Sequence, residues 1–246
     1  MQTAERELSR PAFYALARGG WRDLVTVLHP PYTAWHLSYV ALGAAAAPRV
    51  HAARLGAALV AFFLAVGVSA HALDELNGRP LNTALTRRAL LALAGAGLAG
   101  AVGIGIVGCL VISPWLAPLV LAGGFLVVAY NLELGGGRFH NDTWFALAWG
   151  GFPAFTGYFV NALAVRPAGV LVSVACCLLS VAQRRLSTPA RELRRRTTEV
   201  RGEQTLNDGT VIELDKGRLA APLEGALSAM WLALVVMAVG LVVPRL

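Results

Sequence analysis

The feature that most constrains this chain is a series of apolar blocks too long and too uniform for a soluble core. The segment ALLALAGAGLAGAVGIGIVG (89–108) puts Ala, Leu, Val, Ile and Gly on every face of a helix, whereas a helix on a soluble core carries one apolar stripe. In lipid a segment must satisfy its own backbone hydrogen bonds, so such a block is read as a membrane-spanning helix. About 20 residues cross a bilayer. Seven blocks are read as spans, at about 31–47, 54–73, 89–108, 113–131, 143–164, 168–183 and 220–243. The first and sixth are short, so their ends are soft. Composition agrees: 57% of residues are hydrophobic and 14% charged, against roughly 25% charged in a soluble domain. The 26 glycines suit a bundle whose backbones approach closely. The expected fold is an all-α, polytopic transmembrane helix bundle forming a single domain over 1–246.

A net charge of +7 would point to nucleic acid in a soluble protein. Here the basic residues cluster in loops beside spans, where they set topology, and no nucleic-acid partner is expected. With the N-terminus inside, 17 of the 21 Lys and Arg residues fall on the cytoplasmic side and four outside. The expected location is a bacterial plasma membrane, with the N-terminus and the loop 184–219 cytoplasmic. The opening MQTAERELSRPAFYALARGG has no apolar core before a small-residue cleavage site, so no signal peptide is expected. Residues 11–29 mix apolar and basic residues and suit a helix in the cytoplasmic interface, with Trp21 at headgroup level. Cys109, Cys176 and Cys177 lie in apolar stretches and are read as small apolar filler.

The loop 184–219 divides in two. QRRLSTPARELRRR (183–196) reads as a basic helix along the membrane surface. In 200–215, Asn207-Asp208-Gly209 between partly alternating segments signals a β-hairpin over the mouth of the bundle, with a flexible loop as the alternative.

Four polar clusters interrupt the pattern, all at the cytoplasmic end in this topology. The end of span two carries His71, Asp74, Glu75, Asn77 and Arg79. The end of span four and the loop after it carry Tyr130, Asn131, Glu133, Arg138, His140 and Asp142. Gln183, Arg184 and Arg185 end span six, and Glu224 opens span seven. Ionisable groups at the edge of a bundle are costly unless paired, hydrated or metal-bound. Helical spacing puts His71 on one face with Asp74 and Glu75, a set suited to one cation. Oxygen ligands favour Mg²⁺, and His71 shifts the preference toward a transition metal. Glu133, His140 and Asp142 join them as candidate metal ligands. Arg79, Arg138, Arg184 and Arg185, with Asn77, Tyr130 and Asn131, are candidates for an anionic substrate, because Arg suits bidentate phosphate contacts. Plainer roles stand beside these: Arg184 and Arg185 setting topology, Glu224 favoured by a helix dipole, Asp142 capping a helix, and Gly135-Gly136-Gly137 making a tight turn.

The segment AHALDELNGRPL (70–81) resembles the first signature of the UbiA superfamily of membrane prenyltransferases, N-D-x-x-D-x-x-x-D followed by Arg-Pro. Ala70, His71, Asp74 and Gly78 fall at its four named positions, and Arg79-Pro80-Leu81 follows. Of the four, only Asp74 matches. VLHPPYTAWHLSYVALGA (27–44) resembles the start of that family's first span, and AYNLELGGGRFHNDTWFALAWGGFPAFTGYF (129–159) its fourth-to-fifth span region. The resemblance covers about 27–185. It departs in having no aspartate in QRRLSTPAREL, where the family's second motif lies, and seven spans in place of nine. It implies a shortened UbiA-like bundle that moves a prenyl group from a prenyl diphosphate to an acceptor, with Mg²⁺ at the cytoplasmic face and Asp74 as a metal ligand. In that chemistry an allylic diphosphate ionises, metal and arginines neutralise the leaving group, and an apolar tunnel shields the carbocation. The alternative is a non-catalytic UbiA-like membrane protein binding a lipid or protein partner. A small transporter is weaker, since neither midplane polar groups nor repeated halves are visible.

Overall fold

The computed structural model describes residues 10–246; the charged opening residues 1–9, and with them the start of the segment read as lacking a signal peptide, lie outside the described residues. The described chain is mostly helical. A short helix α1 (Trp21–Val27) leads into α2 (Pro30–Ala46). The long helix α3 (Ala52–Leu76) contains a π-helical stretch at Phe63–Ala70. Next come α4 (Arg87–Val111), α5 (Pro114–Asn131), and α6 (142–162) with a second π-helical stretch at Leu147–Gly151. Helix α7 (Pro167–Arg195) precedes a two-stranded hairpin, β1 (Gly202–Thr205) and β2 (Val211–Leu214), and α8 (Lys216–Val242) ends the fold.

Local sequence accounts for the helix starts. Thr86 Oγ1 accepts from Ala89 N at 3.2 Å, Asn141 Oδ1 from Trp144 N at 3.0 Å, and Asp215 Oδ1 from Arg218 N at 2.7 Å, each satisfying an amide that the helix leaves unpaired. Asn141 is therefore the cap of α6, and Asp142, expected as a cap, is the first helical residue.

Five helices are long and apolar enough to cross a membrane: α3, α4, α5, α7 and α8. Their outward faces carry exposed Leu110, Val111, Leu121 and Val236, a surface that water disfavours and lipid accepts. Helices α2 and α6 sit at the centre. A Cβ on Gly43 would collide with the Ala154 backbone, and one on Gly157 with the Val40 backbone. The two helices thus cross at backbone contact, the arrangement that small residues permit. Around this pair one apolar cluster joins α2 to α3, α4, α5 and α6 through residues such as Val40, Phe62, Leu90 and Trp149. A second joins it to α7 and α8 through Trp35, Tyr39, Cys176 and Leu227.

Contacts at the ends fix how the helices alternate. At one end Arg245 donates to the carbonyls of Ala45, Ala47 and Pro48, and His51 N donates to Asn161 Oδ1 at 2.7 Å. At the other, Arg194 Nη2 donates to Glu224 Oε2 at 2.7 Å and Asn77 Nδ2 to Asn131 O at 3.3 Å. The second end collects residues 10–29 and the loops after α3, α5 and α7, and we call it the polar end.

Three expectations change here. The basic stretch 183–196 is no separate surface helix, because α7 continues without a break through Pro189 to Arg195. In 11–29 only Trp21–Val27 is helical, and ahead of it Ala12 and Ala15 are buried. The hairpin forms, with Gly202 opposite Leu214 and Thr205 opposite Val211, and Gly209 at φ 84 supplies the turn geometry that Gly allows. Strand β1 is exposed along its whole length and β2 at alternate residues, and the segment hydrogen-bonded across the polar end is the N-terminal one.

Candidate functional site

The N-terminal segment is stitched across the polar end. Arg195 Nε donates to Pro11 O at 3.0 Å and Arg194 Nη1 to Arg10 O at 3.3 Å. Leu16 N donates to Thr26 Oγ1 at 3.0 Å. Buried Asp23 accepts from Ala84 N at 3.0 Å, which ties α1 to the loop after α3. Beneath this cover Tyr14, His29 and Tyr32 pack against one another, and the His29 ring stacks on His71 at 4.2 Å between centroids.

Burial pushes the His29 imidazole well below its ordinary range, reinforced by His71, Arg195 and Arg191. Burial, with Tyr32 beside it, holds the Tyr14 phenol well above its own. Both groups are therefore neutral. Tyr14 Oη and His29 Nδ1 are 2.7 Å apart. Hydrogen-bond accounting assigns the phenol as donor, since its proton has no other acceptor among the described residues. The imidazole proton then sits on Nε2, a buried atom without a partner. Tyr130 Oη and Gln183 Oε1, at the same end, are also buried without one. Buried polar atoms are nearly always paired, with protein or with ordered water, so these three carry hydrogen-bonding capacity that no described residue uses.

The cations come from α7. Arg184, Arg191 and Arg195 are seven and four residues apart, a spacing that puts them on one helical face. Arg191 lies within electrostatic reach of Asp74, Tyr14, Tyr32, Tyr130 and the other two arginines. Its hydrogen bond is to a hydroxyl, Nη2 to Thr188 Oγ1 at 3.3 Å. Among the described residues neither Arg191 nor Arg195 is in an ion pair with a carboxylate. Arg184 is paired with exposed Asp142 at 2.8 Å and lies over the Phe145 ring.

The residues singled out in the sequence divide accordingly. Asp74 is within electrostatic reach of Arg195, Arg191 and His140, and the His140 ring lies 4.5 Å from that of Tyr130. His71 is engaged with the His29 ring. Glu75 turns away: its carboxylate accepts from Leu81 N at 2.9 Å, Thr83 N at 2.8 Å and Thr83 Oγ1 at 2.9 Å. Helical spacing puts Glu75 on one face with His71 and Asp74, but its two oxygens are taken up by this loop. Arg79, expected on an anion, donates to Thr83 O at 3.1 Å and Leu85 O at 2.9 Å and closes the same loop. Asn77 donates to Glu133 Oε1 at 3.3 Å as well as to Asn131 O, and these three hold the end of α3 to the end of α5. Arg138 and Arg185 are exposed. Gly135, Gly136 and Gly137 all have positive φ, as the tight-turn reading requires.

Among the described residues no three His, Cys, Asp or Glu side chains stand together as a metal ion would need. The sequence reading missed Tyr14, His29, Tyr32, Arg191 and Arg195. The helical spacing of the three arginines was the available signal, hidden because 183–196 read as a surface helix. Compared with family models, curated proteins and solved structures, the chain matches none.

Proposed function

We propose that this chain is a UbiA-like integral membrane protein that binds the diphosphate head of a prenyl lipid at its polar end, with Arg184, Arg191 and Arg195 taking the charge. The observation that carries the reading is Arg191, a half-buried guanidinium without a carboxylate partner among the described residues, within electrostatic reach of Tyr14, Tyr32 and Tyr130 and of the His29 ring, whose Nε2 is buried without a partner. Guanidinium groups suit phosphate oxygens in both charge and geometry. The arginines occupy the segment where the resemblance expects a second acidic motif. The arrangement is read as seven spans with the polar end cytoplasmic; the alternation of helix ends and the 17-to-4 division of Lys and Arg support it.

The second reading keeps the resemblance whole: Mg²⁺ enters with the diphosphate on Asp74, and the prenyl group is transferred to an acceptor. The engagement of Glu75 with its loop and of Asp142 with Arg184 favours the first. Binding of farnesyl diphosphate to the purified protein, with Mg²⁺ or with EDTA, separates them. Binding should persist in EDTA and weaken about tenfold in Arg191→Gln, the scale of one charged hydrogen bond, and Asp74→Asn should not weaken it. Loss of binding in EDTA, with Arg191→Gln unchanged, would favour the metal-dependent transferase.

A further inference from the structure

The half of the bundle away from the polar end contains a second feature that the proposed function does not use. An apolar cavity of about 130 Å³ lies between α3, α4, α5 and α6, walled by Ala61, Gly105, Val120 and Phe152. On α3 it extends from Arg54 to Val66, twelve residues or about 18 Å of helix. The apolar part of one leaflet is about 15 Å deep, half of a hydrocarbon core of about 30 Å. The lining runs from buried Ala58, Phe62 and Val66 to exposed Ala57, so the cavity is open on one side. Trp149 is among its lining residues, and that ring meets Tyr130 of the polar site edge to face at 5.4 Å between centroids.

Two polar groups break this apolar wall, both near its outer end. Arg54 Nη1 donates to Val160 O at 3.3 Å, which leaves the other N–H groups of a five-donor guanidinium for a ligand. Arg49 and His51 are in its neighbourhood, so the rim is basic. One helical turn deeper on α6, Thr156 Oγ1 is buried and has no hydrogen-bond partner. Helical Ser and Thr hydroxyls commonly bond the carbonyl four residues back; this one does not, and it lines the cavity.

A basic rim, an unpartnered hydroxyl about 6 Å deeper and an apolar slot one leaflet long follow the order of a phospholipid's phosphate, ester and acyl chain. We infer that the cavity holds one acyl chain of an anionic phospholipid from the leaflet opposite the polar end, with its phosphate on Arg54 and its ester carbonyl on Thr156. The site is separate from the prenyl-diphosphate site and does not depend on it.

Native mass spectrometry of the detergent-purified protein, with phosphatidylglycerol or phosphatidylcholine of the same chains added, tests this. The wild type should retain phosphatidylglycerol about fivefold better, the scale of one basic residue at a membrane surface. Arg54→Gln should abolish the preference. Ala61→Phe, which fills the slot, should reduce adducts of both lipids, and Arg191→Gln at the polar end should change neither. Ala101→Phe is a second filler on the facing helix, and Arg54→Gln still decides the matter if neither filler folds. Equal retention of the two lipids by the wild type, undiminished adducts in a folded filler variant, or loss of the preference in Arg191→Gln in place of Arg54→Gln would overturn the assignment.

Discussion

Replacing Glu75 by alanine should destabilise the protein without a primary effect on ligand or metal binding. Glu75 is fully buried and its two oxygens accept three hydrogen bonds: Oε2 takes the Leu81 amide, and Oε1 takes the Thr83 amide and hydroxyl. Leu81 and Thr83 are themselves buried at 4% and 2% exposure, so water cannot readily replace the carboxylate. Alanine leaves two buried amides unpaired at about 1–3 kcal/mol each, while the hydroxyl can turn to another acceptor, for a total loss of about 4 kcal/mol. Glutamine should cost about half as much. Its Oε1 can still serve Thr83, but its amide nitrogen then faces the Leu81 N–H, donor against donor, and only one bond is lost. Equilibrium unfolding in mixed dodecyl maltoside and dodecyl sulfate micelles gives both numbers. Glu75→Ala within about 0.5 kcal/mol of wild type, the range of an ordinary surface substitution, would refute the hydrogen-bond accounting. So would Glu75→Gln as costly as Glu75→Ala. Stabilisation of the wild type by Mg²⁺ that disappears in Glu75→Ala would return the residue to the metal role that its spacing suggests.

The cover over the polar end should loosen on acidification. The His29 imidazole is held well below its ordinary value by burial, His71, Arg195 and Arg191, so the open state binds protons that the closed state resists. The contribution of the buried ring is present above the unfolded value of about 6.5 and is lost as pH falls below it. The protection factor of the Leu16 amide, bonded to Thr26 Oγ1, should fall from pH 7 to pH 5 once the slowing of intrinsic exchange in acid is divided out, and a constant or higher protection factor would contradict this. At the centre of the bundle, Gly157→Ala should lose at least about 1–3 kcal/mol, the cost of overpacking, because the new Cβ meets the Val40 backbone and backbone cannot rotate aside. Gly56→Ala, with open space around its Cβ, is the control, and equal thermal stability of the two variants would show that α2 and α6 do not cross so closely.

Much of the architecture is legible in the sequence because its causes are local. Seven apolar blocks become seven helices whose ends differ from the reading by a few residues, except where α7 runs on to Arg195. Membrane-type segments declare themselves by hydropathy over about 20 residues, and the turn at Asn207-Asp208-Gly209 depends on a conformation that Gly favours within four residues. The concentration of polar residues at one end is likewise a property of the sequence, since helices that alternate in direction place those loops together.

Which of these polar residues face one another was decided by tertiary structure. His71, Asp74 and Glu75 share one face in a helical projection, yet Glu75 meets the loop six to eight residues ahead, His71 stacks on a ring from the N-terminal segment, and Asp74 comes within electrostatic reach of arginines more than a hundred residues away. Arg79 and Arg191 are both arginines beside a span, but one closes its own loop while the other comes within electrostatic reach of Tyr32 and Asp74 from distant segments. Hydropathy and periodicity report how each residue meets solvent or lipid within its own segment. The partner of a buried charge is set by helix rotation and by which distant segment packs against it, and those come from the summed contacts of the whole bundle.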